Sequence, residues 1–192
     1  MGVIDGSRVE QIITDERIDL QEKFEALWQY YYPRLLVYTG SFKGLQNVDP
    51  KDMVSDILFK VLSSLHTYKR IYSLSTWVYN IAKNHAIDAY RKNKNSAGTI
   101  SLDKIAEQDM VDRRENNSII DKVIENDSIE KCRICIKSLD KKDQRLIFLK
   151  YYEGLNAKEI ALIEGVSHNT VRQRLMTVRR RLKKLLGEDY EN

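Results

Sequence analysis

Residues 156–187 read NAKEIALIEGVSHNTVRQRLMTVRRRLKKLLG, and the local chemistry of this stretch decides the fold. Asn156 followed by Glu159 three residues later is a capping box, and it opens a short helix whose inner face is Ile160, Ala161 and Ile163. Gly165 supplies the left-handed residue that stops that helix. Ser167 caps the next one at once. Val171, Leu175, Val178, Leu182 and Leu185 then follow at steps of four, three, four and three, which makes a single apolar stripe. A short helix, a glycine turn and a second amphipathic helix form the helix-turn-helix pattern, whose second helix enters a major groove.

The face opposite the stripe carries Arg172, Arg174, Arg179, Arg180, Arg181, Lys183 and Lys184, and no acidic residue lies between Gly165 and Gly187. A helix charged with one sign repels itself, and a polyanion is the natural compensation. His168, Asn169, Thr170, Arg172 and Gln173 at its start are hydrogen-bonding types suited to base edges, arginine to guanine and glutamine or asparagine to adenine. Arg174, Arg179 and Arg180, further along, are expected mostly on phosphates. A solvated basic helix capping a bundle is the plainer alternative, but here the capped helix, the glycine turn and the charge asymmetry coincide.

Outward from this stretch, the 192 residues contain only 2 prolines and 8 glycines, and apolar residues recur at three and four rather than alternating. The fold class is therefore all-α. A first helix starts at Asp19, with Glu22 completing a capping box, and carries Phe24, Leu27, Trp28 and Tyr31 until Pro33 breaks or kinks it. Asp49-Pro50 opens a second helix through Met53, Val54, Ile57, Leu58, Val61, Leu62 and Leu65. After a polar-aromatic loop over 67–74, Ser75 caps a third, which holds Trp77 and ends in the basic run Arg91 to Lys94. Between 95 and 127 periodicity fades into an acidic linker with Asp103, Glu107, Asp109, Asp112 and Glu115. Helical patterning returns to Ser138, and again from Asp140 to Tyr152, where Gly154 ends it. The expected organisation is an N-terminal extension (1–22), a helical domain (23–94), the linker (95–127), a helix-turn-helix domain (128–187) and a tail (188–192).

Net charge is only +4, from 32 basic and 28 acidic residues, so the distribution of charge matters more than its sum. Mean hydropathy is −0.50, and no apolar run reaches membrane-spanning length. The start of the chain carries Asp5 and Glu10 and no apolar signal core, which reads as cytoplasmic, without membrane insertion. Cys132 and Cys135 have metal-site spacing, but His66, His85 and His168 are scattered singly, and the cysteines fall on a helical pattern where they pack as small hydrophobes. Asp49, Asp52 and Asp56 at helical spacing read as capping or solvated carboxylates rather than a catalytic metal site. No enzyme activity, metal or cofactor is expected.

Residues 139–186, LDKKDQRLIFLKYYEGLNAKEIALIEGVSHNTVRQRLMTVRRRLKKLL, resemble region four of bacterial sigma factors of the sigma-70 family. In the N-terminal half FEALWQYYYPRLLVY (24–38), DPKDMVSDILFKVL (49–62) and STWVYNIAKNHAIDAYRKNK (75–94) resemble region two, in that order. With no third domain between them, the resemblance is to the extracytoplasmic-function group. It implies an alternative sigma factor, a non-catalytic subunit that binds core RNA polymerase and directs promoter recognition, DNA melting and initiation. Its partners would be the coiled coil of the polymerase largest subunit and the flap, promoter DNA, and, left open, an anti-sigma factor.

By the same resemblance Asp52, Val54, Asp56, Ile57 and Phe59 are core-polymerase contacts, with simple packing an equal reading for Ile57. Lys60, Tyr68, Lys69, Arg70, Tyr72, Ser73, Tyr79, Asn80, Asn84 and Arg91 would capture the opened minus-ten element. Opened bases need stacking and hydrogen bonds in place of lost pairing, and these side chains offer both. His168, Asn169, Thr170, Arg172, Gln173, Arg174, Arg179 and Arg180 would read the minus-thirty-five element. The rival reading is a helix-turn-helix regulator that never joins the polymerase and leaves a palindromic footprint alone.

Overall fold

Asp19 and Asp49 each turn a side-chain oxygen onto the first free amides of a helix, and from such local signals the described residues build helices and helical turns. The computed structural model describes residues 5–42, 44–45, 47–96 and 127–187. In order they form α1 (Gly6–Thr14), α2 (Leu20–Thr39), α3 (Pro50–Ser63), a 3₁₀ turn (Leu65–Thr67), α4 (Leu74–Ser96), α5 (Asp127–Lys137), α6 (Lys141–Ile147) running into a wider π-type turn (Phe148–Tyr152), α7 (Ala157–Glu164) and α8 (His168–Leu185). Most of the expected linker, residues 97–126, lies outside the described residues. Among those described, no helix is long and apolar enough to cross a membrane.

Several local expectations change. The N-terminal extension contains α1, capped by Asp5 on the Arg8 amide, and it buries Val9, Ile12 and Ile13 against the bundle. Asp19 accepts from the Glu22 amide at 2.8 Å, but only this half of the capping box forms. α2 runs through Pro33 to Thr39 rather than ending there. The carbonyl that proline leaves without an amide belongs to exposed Gln29, where water can serve it, and the Arg34 guanidinium donates to the next carbonyl, Tyr30, at 2.7 Å. The N-cap of α4 is Ser73, whose hydroxyl accepts from the Thr76 amide at 3.3 Å, so Ser75 lies inside the helix and bonds the Tyr31 hydroxyl at 3.1 Å. On α8, Val171, Leu175 and Val178 are buried, Leu182 half-buried, and Leu185 is 47% exposed because α8 outruns its neighbours.

α1 to α4 form one bundle and α5 to α8 another, and the two meet. One continuous apolar core joins Leu35, Tyr38, Val78, Tyr79 and Ala82 of the first to Leu146, Leu149, Ile160 and Ile163 of the second. α7 lies along α4, and Phe148 packs edge-on to Tyr79 with centroids 6.0 Å apart. A small separate cluster of Leu139, Ile147 and Val178, with Ile136 and Leu182 packed on it, ties α5 and α6 to α8. Cys132 and Cys135 are free and half-buried on α5.

Candidate nucleic-acid interface

The start of α8 is built by two local devices. Asn156 accepts from the amides of Lys158 and Glu159 while the Glu159 carboxylate accepts from the Asn156 amide at 3.0 Å, the full capping box of α7. Gly165 then takes φ 67°, and Ser167 accepts from the Thr170 amide at 3.0 Å. These bonds fix the angle between α7 and α8 and aim the first turn of α8 outward. Asn169, Thr170, Arg172 and Gln173 are exposed there and His168 is half-buried. Arg179, Arg180, Arg181, Lys183 and Lys184 are exposed along the same helix, and Arg179 also donates to the Tyr151 hydroxyl.

Arg174 differs from the other basic residues of this face. It donates to Asp143 at 2.5 Å and lies 3.4 Å from Asp140, so its charge already has partners and it fastens α8 to α6. Burial pushes the Asp143 carboxyl upward and neighbouring Asp140 adds to this, while Arg174 opposes both. Among the residues expected to meet DNA in this half, Arg174 is thus held by carboxylates of another helix, while Arg179 bonds the Tyr151 hydroxyl.

The second group surrounds the turn from α3 into α4. Lys60, Lys69, Arg70, Tyr72, Asn84 and Arg91 are exposed, Tyr68, Ser73 and Asn80 half-buried. Tyr79 has no exposed surface, so it shapes the site from beneath rather than meeting a base. Helix α1 takes hold of the loop: the Tyr68 hydroxyl donates to Glu10 at 2.6 Å and to the Tyr72 carbonyl at 3.1 Å, and Arg70 donates to Thr14. Arg70 sits at φ 53°, the left-handed region, so the loop is held in a turn that an ordinary side chain disfavours. Trp77 packs beside Tyr68, centroids 5.4 Å apart. Burial leads the upward shift of the Tyr68 hydroxyl, and Glu10 adds to it. At the far end of α4, Arg91 lies 3.6 Å from Asp88 on the exposed face.

The third group, on α3, divides sharply. Val54 and Ile57 have no exposed surface; they hold α3 in the bundle and cannot touch another molecule without repacking. Asp52 and Asp56 are exposed, and Phe59 is 58% exposed while stacked on Phe24 at 5.1 Å. Phe24, Trp28 and Tyr32 extend this aromatic strip along α2. His85 of α4 approaches Asp56 at 4.0 Å, and burial lowers the His85 pKa.

Residue patterns alone did not single out Glu10, Thr14, Arg34, Thr76, Glu153 or Glu159 as members of these sites. Glu159 is both the capping-box residue of α7 and the acceptor for the Ser73 and Thr76 hydroxyls of α4, at 2.8 and 3.0 Å. Only the helix-starting half of that double role is visible in a local spacing.

Comparison with known proteins agrees with this architecture. The model of "Sigma-70 region 2" matches residues 27–96 and that of "Sigma-70, region 4" residues 133–182, together more than half of the chain. RNA polymerase sigma factor YlaC of Bacillus subtilis (strain 168) is 26% identical over 173 residues, 89% of this chain and 96% of the relative. ECF RNA polymerase sigma factor SigX of the same organism is 23% identical over 174 residues, 88% of each. Among solved structures, the sigma factor RpoE in complex with the anti-sigma factor NepR from Bartonella quintana superposes with TM-score 0.56 at 20% identity, over 88% of this chain and 99% of that one. That likeness is one of fold. With both conserved regions present in order and curated relatives covered almost end to end, the chain belongs to the sigma-70 family of RNA polymerase sigma factors, in its extracytoplasmic-function group.

Proposed function

We propose that this chain acts in the cytoplasm as a non-catalytic initiation subunit with three contact surfaces divided between its two bundles. The observation that carries the reading is the start of α8, where four exposed hydrogen-bonding side chains stand on a capped helix whose charged side chains are all basic. His168, Asn169, Thr170, Arg172 and Gln173 meet base edges of the minus-thirty-five duplex, while Arg179 and Arg180 meet phosphates. Arg174 positions α8 through Asp143.

In the other bundle, Lys60, Lys69, Arg70, Tyr72, Asn80 and Asn84 hold the opened minus-ten strand, with Tyr68 and Ser73 shaping the loop, Tyr79 supporting it from below and Arg91 on the backbone. Exposed Asp52, Asp56 and Phe59 meet the coiled coil of the polymerase largest subunit, and the helix-turn-helix half meets the flap. Promoter DNA and core polymerase are thus the two obligatory partners. The sigma factor RpoE, of this fold, is crystallised with the anti-sigma factor NepR, and the aromatic strip Phe24, Trp28, Tyr32 and Phe59 is the surface for which such a partner would compete with polymerase.

Size-exclusion chromatography of the chain with core polymerase tests the assignment of α3. The wild type is expected to co-elute with core, and Phe59→Asp to weaken that association at least tenfold while leaving α-helical circular dichroism unchanged. Equal co-elution of both proteins would remove Phe59 from the polymerase contact.

A further inference from the structure

The turn from α3 into α4 carries exposed side chains assigned above to the opened strand, yet its backbone hydrogen bonds gather at its two ends. Thr67 donates to the Ser64 carbonyl at 2.8 Å and Tyr68 to that of Leu65 at 3.0 Å, while at the far end Trp77 donates to the Ser73 carbonyl at 3.2 Å. The crown between them packs on little, with Ile71 72% and Tyr72 48% exposed. Arg70, in the middle, sits at φ 53°, a conformation an arginine leaves unless its surroundings hold it.

The hold comes from α1. The Tyr68 hydroxyl donates to the Glu10 carboxylate at 2.6 Å, across 58 positions of sequence, and also reaches the Tyr72 carbonyl at 3.1 Å. Thr14 gives its own hydroxyl proton to the Glu10 carbonyl at 2.7 Å, which leaves its lone pairs free to accept from the Arg70 guanidinium. Glu10 and Thr14 stand four residues apart, hence on one face of α1, and Tyr68 and Arg70 stand two apart in the turn, so the two bonds run side by side.

α1 is itself anchored independently of the turn. Asp5 accepts from the Arg8 amide at 2.8 Å, and Val9, Ile12 and Ile13 are buried in the bundle core. Gly6 approaches α2 so closely that a Cβ there would stand 2.9 Å from the Tyr30 hydroxyl. Trp77 of α4 packs on the Tyr68 ring, so that ring is gripped by α4 while its hydroxyl is gripped by α1. Between α1 and the turn runs an open groove lined by Ile13, Thr14 and Lys23 from one side and His66, Lys69 and Arg70 from the other. The turn's conformation is therefore set against a fixed helix rather than by its own backbone.

We propose that Glu10 and Thr14 are positioning residues for minus-ten recognition: by holding Tyr68 and Arg70 they fix the shape of the α3–α4 turn, and so determine which bases of the opened strand it accepts. The hold rests on the geometry alone; its consequence for base choice rests on the minus-ten reading given above.

Two measurements test it. In the free, full-length protein, limited trypsin digestion reads the hold, because Lys69 and Arg70 are exposed cleavage sites in the turn. Glu10→Ala and Thr14→Val are each expected to speed cleavage there about three- to tenfold, the range of one lost hydrogen bond. In the holoenzyme, selection from forked DNA with randomised bases across the single-stranded minus-ten stretch reads the preference at each position. Glu10→Ala and Tyr68→Phe should each flatten that preference by a similar factor, and the double variant should be no flatter than either, since both cut the same bond. Glu10→Gln, whose amide oxygen still accepts from Tyr68, should restore most of the preference. Co-elution with core polymerase and binding of duplex DNA by α8 should match the wild type throughout.

Unchanged cleavage in both Glu10→Ala and Thr14→Val overturns the hold. Faster cleavage with an unaltered base preference, or an equal loss of affinity for every sequence, overturns the positioning role. Should Glu10→Ala prove unfolded by circular dichroism, Tyr68→Phe, which alters the same bond from the turn, decides in its place. A wild-type holoenzyme with no base preference in the single-stranded arm would overturn the minus-ten reading and the role in base choice with it, while the digestion would still decide the hold.

Discussion

Glu153 shows what a single side chain costs and what it allows. Its carboxyl is raised by burial, with Tyr79, Arg34 and Ser75 only partly offsetting that, so the folded protein holds a proton there more tightly than the unfolded chain does. Stability from this group is therefore fully present below the ordinary glutamate range and is lost as pH rises through the raised value. Glu153→Gln should consequently melt at or above the wild-type temperature at pH 7, with the difference shrinking as pH is lowered into the ordinary glutamate range. Thermal melts of the two proteins across that interval check the sign, and a gain that grows on acidification would contradict it. On α8, Arg172→Ala is expected to cost about 1–3 kcal/mol, concentrated at one base pair of the bound site. Arg180→Ala should weaken every sequence alike and lower the salt slope of binding by about 1. Titrations of both variants against a set of single-base-pair substitutions separate these roles.

At the scale of elements, what was legible follows how far apart the determining residues lie. The α7–α8 unit was readable because each signal is local: Asn156 with Glu159, the left-handed Gly165, and Ser167 with Thr170. The start of α3 at Asp49-Pro50 was readable for the same reason. Pro33 left a break or a kink open because a proline's effect on a helix depends on whether water and neighbours can serve the freed carbonyl, and the helix runs on through it. The α4 cap was misplaced by two residues because Ser73 and Ser75 are chemically alike, and only the fold assigns one to the Thr76 amide and the other to Tyr31. α1 carried a legible signal in Asp5, Val9, Ile12 and Ile13, at helical spacing behind a capping residue. Arg174 looked like a DNA contact because its partners, Asp140 and Asp143, stand on another helix. Two variants separate cap from clamp. Ser167→Ala should cost about 1 kcal/mol of stability through the lost cap. Arg174→Ala should cost about 1 kcal/mol as well, discounted for its exposure, by leaving Asp143 unpaired. Neither should change the salt slope of DNA binding, whereas Arg180→Ala does; denaturant melts paired with salt titrations read both quantities.

Across the whole molecule, the residues that join the bundles lie far apart in sequence, Arg145 and Ser41 by 104 positions, so no periodicity could have announced their meeting. The family-level reading was legible because residues 24–38, 49–62, 75–94 and 139–186 resemble the sigma-70 regions in order, whereas the seam between the bundles is a property of their tertiary packing. The most direct test of the central claim is in vitro transcription by core polymerase with and without this chain, on fragments of genomic DNA from its own organism, with start sites mapped. The account predicts discrete starts that require both proteins, fail with Phe59→Asp, and share conserved bases near positions minus thirty-five and minus ten. A chain that never supports a start with core, yet alone protects a palindromic site, would contradict it.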